Sequence, residues 1–411
     1  QSHPPPPRPR PRRHHHPHHH HHQTPMDMIT LQQYILTWIH RLVGWLLELW
    51  NRWFGQVLTF DSNDESHSIQ VRVGPRPIAE GGFSVIFRAT SIGGGSNGGH
   101  SEDYALKRIQ CQEEETRQAC LKEARVHQDL QRAHPQNANY LMPLYGITWD
   151  HPTATCYMLF PLLTHSLRAE VQRRIFHNPD IFQSRVPPWS ESVVLQLFQH
   201  LLQAVAIMHA AGYSHCDIKL ENILCKGSNV QHLITPILMD FGSVGPLSQS
   251  LSTRQEVLDV AERASQHTTI SYRPPELFAG ELRVGDMDLD YTKVDVWSCG
   301  CVLFAILFGA SPSESEFHRK TGRLQIVDCT QLKVLQSIPK PPIDSPVAKW
   351  YSSDLMQLLE WILNQDRHQR PTIAQVQARV NFMLHPHGAD VEDPNTSFFA
   401  SSPFNARSMT Y

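Results

Sequence analysis

Two short motifs constrain this chain most: His215-Cys216-Asp217-Ile218-Lys219-Leu220-Glu221-Asn222 and, further on, Asp240-Phe241-Gly242. Their spacing suits one chemistry. The Asp217 carboxylate can take the proton of an attacking hydroxyl. The Asn222 amide, five residues on, can reach a metal ion on nucleotide phosphates, and Asp240 on a separate turn can hold the main magnesium ion. An Asp and an Asn so spaced say little alone. Followed by Asp-Phe-Gly, they demand a fold that brings two turns to one phosphate site.

The stretches around these motifs supply the rest of such a site. Ala79-Glu80-Gly81-Gly82-Phe83-Ser84-Val85-Ile86-Phe87 reads as a hairpin over phosphates. Ala79 and Ser84 stand where glycines are usual, and Gly81 keeps the position of closest backbone approach. The richer run Gly93–Gly99 has no helix or Lys behind it and reads as a flexible tip between strands. Tyr104-Ala105-Leu106-Lys107-Arg108-Ile109 alternates as a strand does and places Lys107 to pair with α- and β-phosphates. A helix over about 112–132 should bring Glu123, flanked by Ala119, Ala124 and Val126, to Lys107; Glu113, Glu114 and Glu115 suit its positive end. Tyr140–Thr148 and Cys156–Leu163 read as two more strands. The second runs through Phe160, at the back of a nucleotide pocket, into Leu162 and Leu163, whose backbone would meet the base.

Further on, Trp189–Ala211 is an amphipathic helix and Ile234–Met239 an apolar strand. Arg254–Gln266 has helical periodicity. Asp295 opens an apolar helix. Glu276 and Arg370 form the natural pair for a buried structural salt bridge.

The N-terminal region is of another kind. Residues 1–25 are a Pro/Arg/His-rich tail with too little apolar surface to fold. Residues 28–60 follow a helical pattern with a narrow polar stripe and a wide apolar face holding Trp38, Trp45, Trp50 and Trp53. A helix in a membrane interface fits best. A spanning helix would put His40 and Arg41 near the bilayer middle, at a cost of several kcal/mol. Packing on protein is the third arrangement. Residues 61–70 read as a polar linker and 386–411 as a disordered tail. In the 411 residues, 40% hydrophobic and 18% charged, a net charge of −3 gives no reason to expect nucleic acid, and eight scattered cysteines without C-x-x-C pairs read as reduced thiols.

Taken together, Lys107, Glu123, Asp217, Lys219, Asn222, Asp240, Glu276, Asp295 and Arg370 resemble, in order, the eukaryotic protein kinase superfamily across about 71–385. Glu80–Ser84, Tyr104–Ile109, Leu238-Met239-Asp240 with Gly242-Ser243, Thr269–Arg273 and Asp295–Val302 resemble the Numb-associated kinase family more closely, including its Ser at the position of Ser84. The resemblance implies an α+β, two-lobed fold, with a small β-rich lobe to about residue 163 and a helical lobe to 385. It implies transfer from ATP, with Mg2+ held by Asn222 and Asp240, to Ser or Thr of a protein substrate. Asp217 would be the base, and Lys219 the residue marking Ser/Thr specificity.

The family resemblance also implies a cytoplasmic protein on Golgi or trafficking membranes. The sequence has no M-G-x-x-x-[ST] start, so residues 28–58 are expected to anchor it instead of lipid. Cys216 stands where Arg would meet a phosphorylated activation loop, so control through that contact is not expected. Cys216 as a redox group would need a lowered pKa. Ala79, Cys216 and Pro274 support an alternative, a membrane-tethered pseudokinase scaffold. A kinase of small molecules is a third reading.

Overall fold

The structure, a computed structural model, describes residues 39, 42, 55–61, 68–81, 84–92, 102–133, 139–178, 180–227, 234–278 and 280–386. Both tails, the Gly93–Gly99 run, Gly82 and nearly all of the expected 28–60 helix lie outside these residues. Within that helix, Ile39 and Leu42 are helical and exposed.

The small lobe is a six-stranded sheet in the order β1-β2-β3-β4-β6-β5. Its strands are β1 (Val57–Asp61), β2 (Ser68–Glu80), β3 (Ser84–Ser91), β4 (Asp103–Gln110), β5 (Gly146–Asp150) and β6 (Thr155–Pro161). One face buries Phe60, Val71, Ala89, Leu106 and Leu159. The other packs Ile109, Met158 and Phe160 beneath helix α1 (Glu114–Ala133), which contributes Cys120 and Ala124.

Two expectations change here. The helix to residue 60 and the linker over 61–70 give way at their ends to strands. Val57–Asp61 pairs antiparallel with Ser68–Arg72, and Phe60 is fully buried. Thr59 and Phe60 alternate outward and inward, a period of two that the preceding apolar run obscures. The strand expected from Tyr140 starts only at Gly146. Pro143 has no N–H to give a ladder, so Leu141 makes a single bridge to Leu238 and the chain joins the sheet three residues later.

The large lobe is built on α2 (Leu167–Ile175), α3 (Glu191–Ala210), α4 (Arg254–His267), α5 (Tyr291–Phe308), α6 (Ser353–Ile362) and α7 (Ile373–Leu384). In α3 the buried Val194, Leu197, Phe198, Leu201, Leu202, Val205 and Met208 recur at helical spacing. The α5 helix is buried from Val294 to Phe308 on every side, which is why its sequence is apolar all round. Two short strands, β8 (Ile223–Lys226) and β9 (Thr235–Leu238), pair antiparallel, and His165–Ser166, as β7, pairs with β8. They place Asn222 and Asp240 at adjacent strand ends. The α4 helix starts at a reciprocal cap: Thr253 N–H donates to Glu256 Oε2 (2.8 Å) and Glu256 N–H to Thr253 Oγ1 (3.2 Å). All eight cysteines are free thiols.

Candidate active site

Between the lobes lies a cleft of about 810 Å³. Ala79, Gly81, Ser84 and Ile86 from the β2–β3 hairpin form its roof with Ala105 and Lys107, and Phe160, Leu162 and Leu163 line the strand leaving β6. Glu123, Asn222 and Asp240 close its inner end. All the described residues expected around the nucleotide are thus brought to one cavity. Sequence reasoning missed Ile78, Glu80, His127, Met142, Leu224 and Met239, which line it as well. Leu224 and Met239 each follow or precede a motif residue closely, a positional signal that could have found them. His127 and Met142 carry no such signal.

Lys107 Nζ donates to both Glu123 oxygens, at 2.7 and 2.9 Å, and stands 3.5 Å from Asp240 Oδ1. Burial alone would lower the lysine pKa, but the carboxylates of Glu123 and Asp240 outweigh it and hold Lys107 above its ordinary value. Burial likewise pulls the Asp240 carboxyl upward. The positive charge of Lys107, with that of Lys219, outweighs that and keeps it below the usual carboxylate range. Asp240 has φ 67°, a left-handed turn that sends Phe241 inward and leaves the carboxylate facing the cleft.

Asp217 sits at the cleft's mouth with both oxygens engaged. Oδ1 accepts from Thr269 N (3.0 Å) and Oγ1 (2.7 Å), and Oδ2 from Lys219 Nζ (2.7 Å) and Asn222 Nδ2 (3.2 Å). Lys219 also donates to Thr269 Oγ1 at 2.9 Å. Asn222 Nδ2 donates to the Asp217 carbonyl oxygen as well (2.9 Å), which fixes the amide's orientation and turns its oxygen away from these partners. Thr269, quoted in the sequence as part of a motif without a role, therefore belongs to the site.

Asp295, fully buried, holds the catalytic loop, His215–Asn222, from below. It accepts from the backbone N–H of His215 (2.8 Å) and Cys216 (2.9 Å) and from His209 Nε2 (2.8 Å). His215 Nε2 donates to the Met239 carbonyl (3.1 Å), leaving Nδ1 to accept from Asp217 N–H (3.2 Å). Glu276 and Arg370 meet through two bonds of 2.7 and 3.0 Å, both residues buried. Cys216 is buried too, and burial, with the charge of Asp295, pushes its thiol up to about 12. That removes the condition for a reactive thiolate.

His127 packs between Phe241 (ring centres 4.5 Å apart) and Phe160 (5.3 Å), and its Nδ1–H donates to the Met142 carbonyl at 3.0 Å. Burial, then the charge of Lys107, push its pKa down to about 3. Unfolded, the same imidazole would titrate near 6.5. Between those values the unfolded chain binds a proton that the folded one does not. Stability should therefore be complete above pH 6.5 and fall on acidification, by roughly 1.4 kcal/mol per pH unit from this group. Urea midpoints for wild type and His127→Gln at pH 7 and pH 5 check this. A slope equal in both proteins would remove His127 as its source.

The protein kinase domain matches residues 75–382. The chain belongs to the protein kinase family. It is 31% identical over 310 residues to serine/threonine-protein kinase 16 of Homo sapiens, covering 75% of this chain and 89% of that protein. The Mus musculus protein of the same name is also 31% identical, over the same length. Serine/threonine-protein kinase ppk13 of Schizosaccharomyces pombe is 26% identical over 354 residues, 79% of this chain and 92% of its own length. This kinase is a serine/threonine protein kinase, and its family implies ATP as phosphoryl donor. The metal that accompanies ATP fits the residues present. Asp240 and Asn222 offer one ionised carboxylate and one amide oxygen, hard donors of the kind and number magnesium uses when phosphates and water complete its shell.

Proposed function

We propose that this kinase transfers the γ-phosphoryl group of ATP to serine or threonine hydroxyls of proteins, with Asp217 as base and Asn222 and Asp240 as the metal-holding residues. Mg2+ held there would neutralise charge on the phosphates. Asp217 orients the acceptor hydroxyl and takes its proton. Lys219, fixed between Asp217 and Thr269, stabilises charge developing on the transferred group. Lys107, held by Glu123, positions the α- and β-phosphates. The observation that carries this reading is the convergence on the Asp217 carboxylate of donors from Lys219, Asn222 and the distant Thr269, at the mouth of the cleft lined by Lys107 and Asp240. Transfer of radiolabel from ATP to a generic basic protein tests it, and a wild type that binds ATP without transfer would leave the pseudokinase scaffold.

The reading extends to place and lineage. Membership of the Numb-associated family is supported by the strings around Ser84, Asp240 and Thr269. Action at a cytoplasmic membrane surface, Golgi or another endomembrane, is supported by the four tryptophans and polar stripe of the N-terminal segment, which ends before β1 at Val57. A truncation that tests the anchor must therefore spare Phe60 and the rest of β1. The full chain should sediment with anionic lipid vesicles and a chain lacking residues 1–54 should not, while both keep the same turnover on a soluble substrate. Equal sedimentation of the two would end the anchor reading.

A further inference from the structure

Position 216 lacks the arginine that H-R-D-x-x-x-x-N carries, yet a guanidinium stands beside it. It comes from Arg263 on α4. The two side chains flank Gly245: a Cβ built there would lie 2.7 Å from Arg263 Nη2 and 3.1 Å from Cys216 Sγ. Gly245 is itself tied to the start of the catalytic loop, its N–H donating to the Ser214 carbonyl (2.9 Å) and the Ser214 N–H to its own carbonyl (3.1 Å). The glycine thus lets the guanidinium reach the loop.

Arg263 Nη2 donates to the Val244 carbonyl at 2.9 Å. Lys122 Nζ, on α1, donates to the same oxygen at 2.6 Å. Lys122 adjoins Glu123, the partner of Lys107. One carbonyl, just beyond Asp240-Phe241-Gly242, therefore joins α1 and α4, and the next residue, Gly245, ties that point to the start of the catalytic loop. Among the described residues no carboxylate forms a salt bridge with either cation. Val260, Ala264, Leu251 and Tyr291 pack with Cys216 in one apolar cluster, which holds α4 over the loop.

Activation segments of kinases, here the stretch from Asp240 to Glu276, are commonly ordered by a phosphate that meets arginine. A phosphate can be removed; a main-chain carbonyl cannot. We propose that Arg263 is a positioning residue that replaces the arginine missing at 216, and that with Lys122 it holds the activation segment, α1 and the catalytic loop in working order without a phosphate on that segment. The inference rests on the transfer activity proposed above.

The test uses the full chain after phosphatase treatment, its phosphate content followed by mass spectrometry. Wild type should keep its kcat. Arg263→Ala should lower kcat by about tenfold or more while the KM for ATP stays within about threefold, because Arg263 does not line the nucleotide cleft and Lys122 still ties α1 to Val244. Arg263→Lys, which can still donate to Val244 O, should recover most of the loss. Gly245→Ala, whose methyl group would displace the guanidinium, should repeat the Arg263→Ala defect. Wild-type kcat in Arg263→Ala, or a wild type that loses its kcat with its phosphate, would overturn the proposal. If Arg263→Ala folds poorly, the lysine variant decides: kcat no better than a poorly folded alanine variant would overturn it too. A wild type inactive before any treatment would overturn the transfer reading as well, so the two failures are distinct.

Discussion

Asp217→Asn is expected to lower kcat between about a hundredfold and ten-thousandfold, the range a positioned general base supplies. ATP affinity should hardly change, because the cleft is lined by Lys107, Asp240 and the β2–β3 hairpin and not by Asp217. The substitution acts twice. It removes the proton acceptor, and it brings an amide NH2 toward donors. If the asparagine keeps its oxygen toward Thr269, its nitrogen faces Lys219 Nζ and Asn222 Nδ2, both of which now donate to Asp217 Oδ2. Lys219 would be released with the base. Single-turnover transfer from radiolabelled ATP, beside a nucleotide-binding titration, separates these effects from loss of the nucleotide. Transfer at the wild-type rate would refute the assignment of Asp217.

Arg370→Ala should cost about 3–5 kcal/mol of stability, the range for removing one partner of a buried ion pair. Glu276 would be left buried and charged. The Lys293 and Asn364 carbonyls would each lose a donor, now at 2.9 and 3.1 Å, and the Trp297 ring would lose a guanidinium 5.0 Å from its centre. Replacing both Arg370 and Glu276 by leucine should cost less than the sum of the two single changes, since neither variant charge remains unpaired. By contrast, breaking the exposed Lys340–Glu360 pair should change little. Urea unfolding of these variants gives the comparison. An Arg370→Ala variant as stable as wild type would show that the pair does not clamp the segment that ends at Glu276.

Much of the site could be read in the chain because phosphate chemistry restricts residue types at short spacing. Asp217 with Asn222, and Lys107 on an alternating strand, needed only local rules. The helix over 254–267 was visible in the period of Val257, Leu258, Val260 and Ala261, and its cap follows from Thr253 and Glu256. Other features resisted such reading. The β1 strand is hidden because it follows closely on an apolar run of helical spacing, with only Gly55, at φ 77°, and Gln56 before it. Val57–Phe60 became a strand only because Ser68–Arg72 offers it an edge. The strand at 146 begins late because of one proline.

The two-lobed fold was implied by the family resemblance, while the sequence alone determined the class of chemistry, the order of most strands and helices, and the residues set aside for phosphate, metal and base. These follow from spacing and period, which are properties of neighbouring residues. Tertiary structure decided what depends on residues far apart in the chain. It brought Thr269 to Asp217, aimed Asp295 at the backbone of His215 and Cys216, and buried His127 between two phenylalanines. It also carried Arg263 to the place the motif leaves without an arginine. At His215–Asn222 the motif names the chemistry, but contacts with β9, α4, α5 and the segment around Thr269 fix where each of its atoms stands.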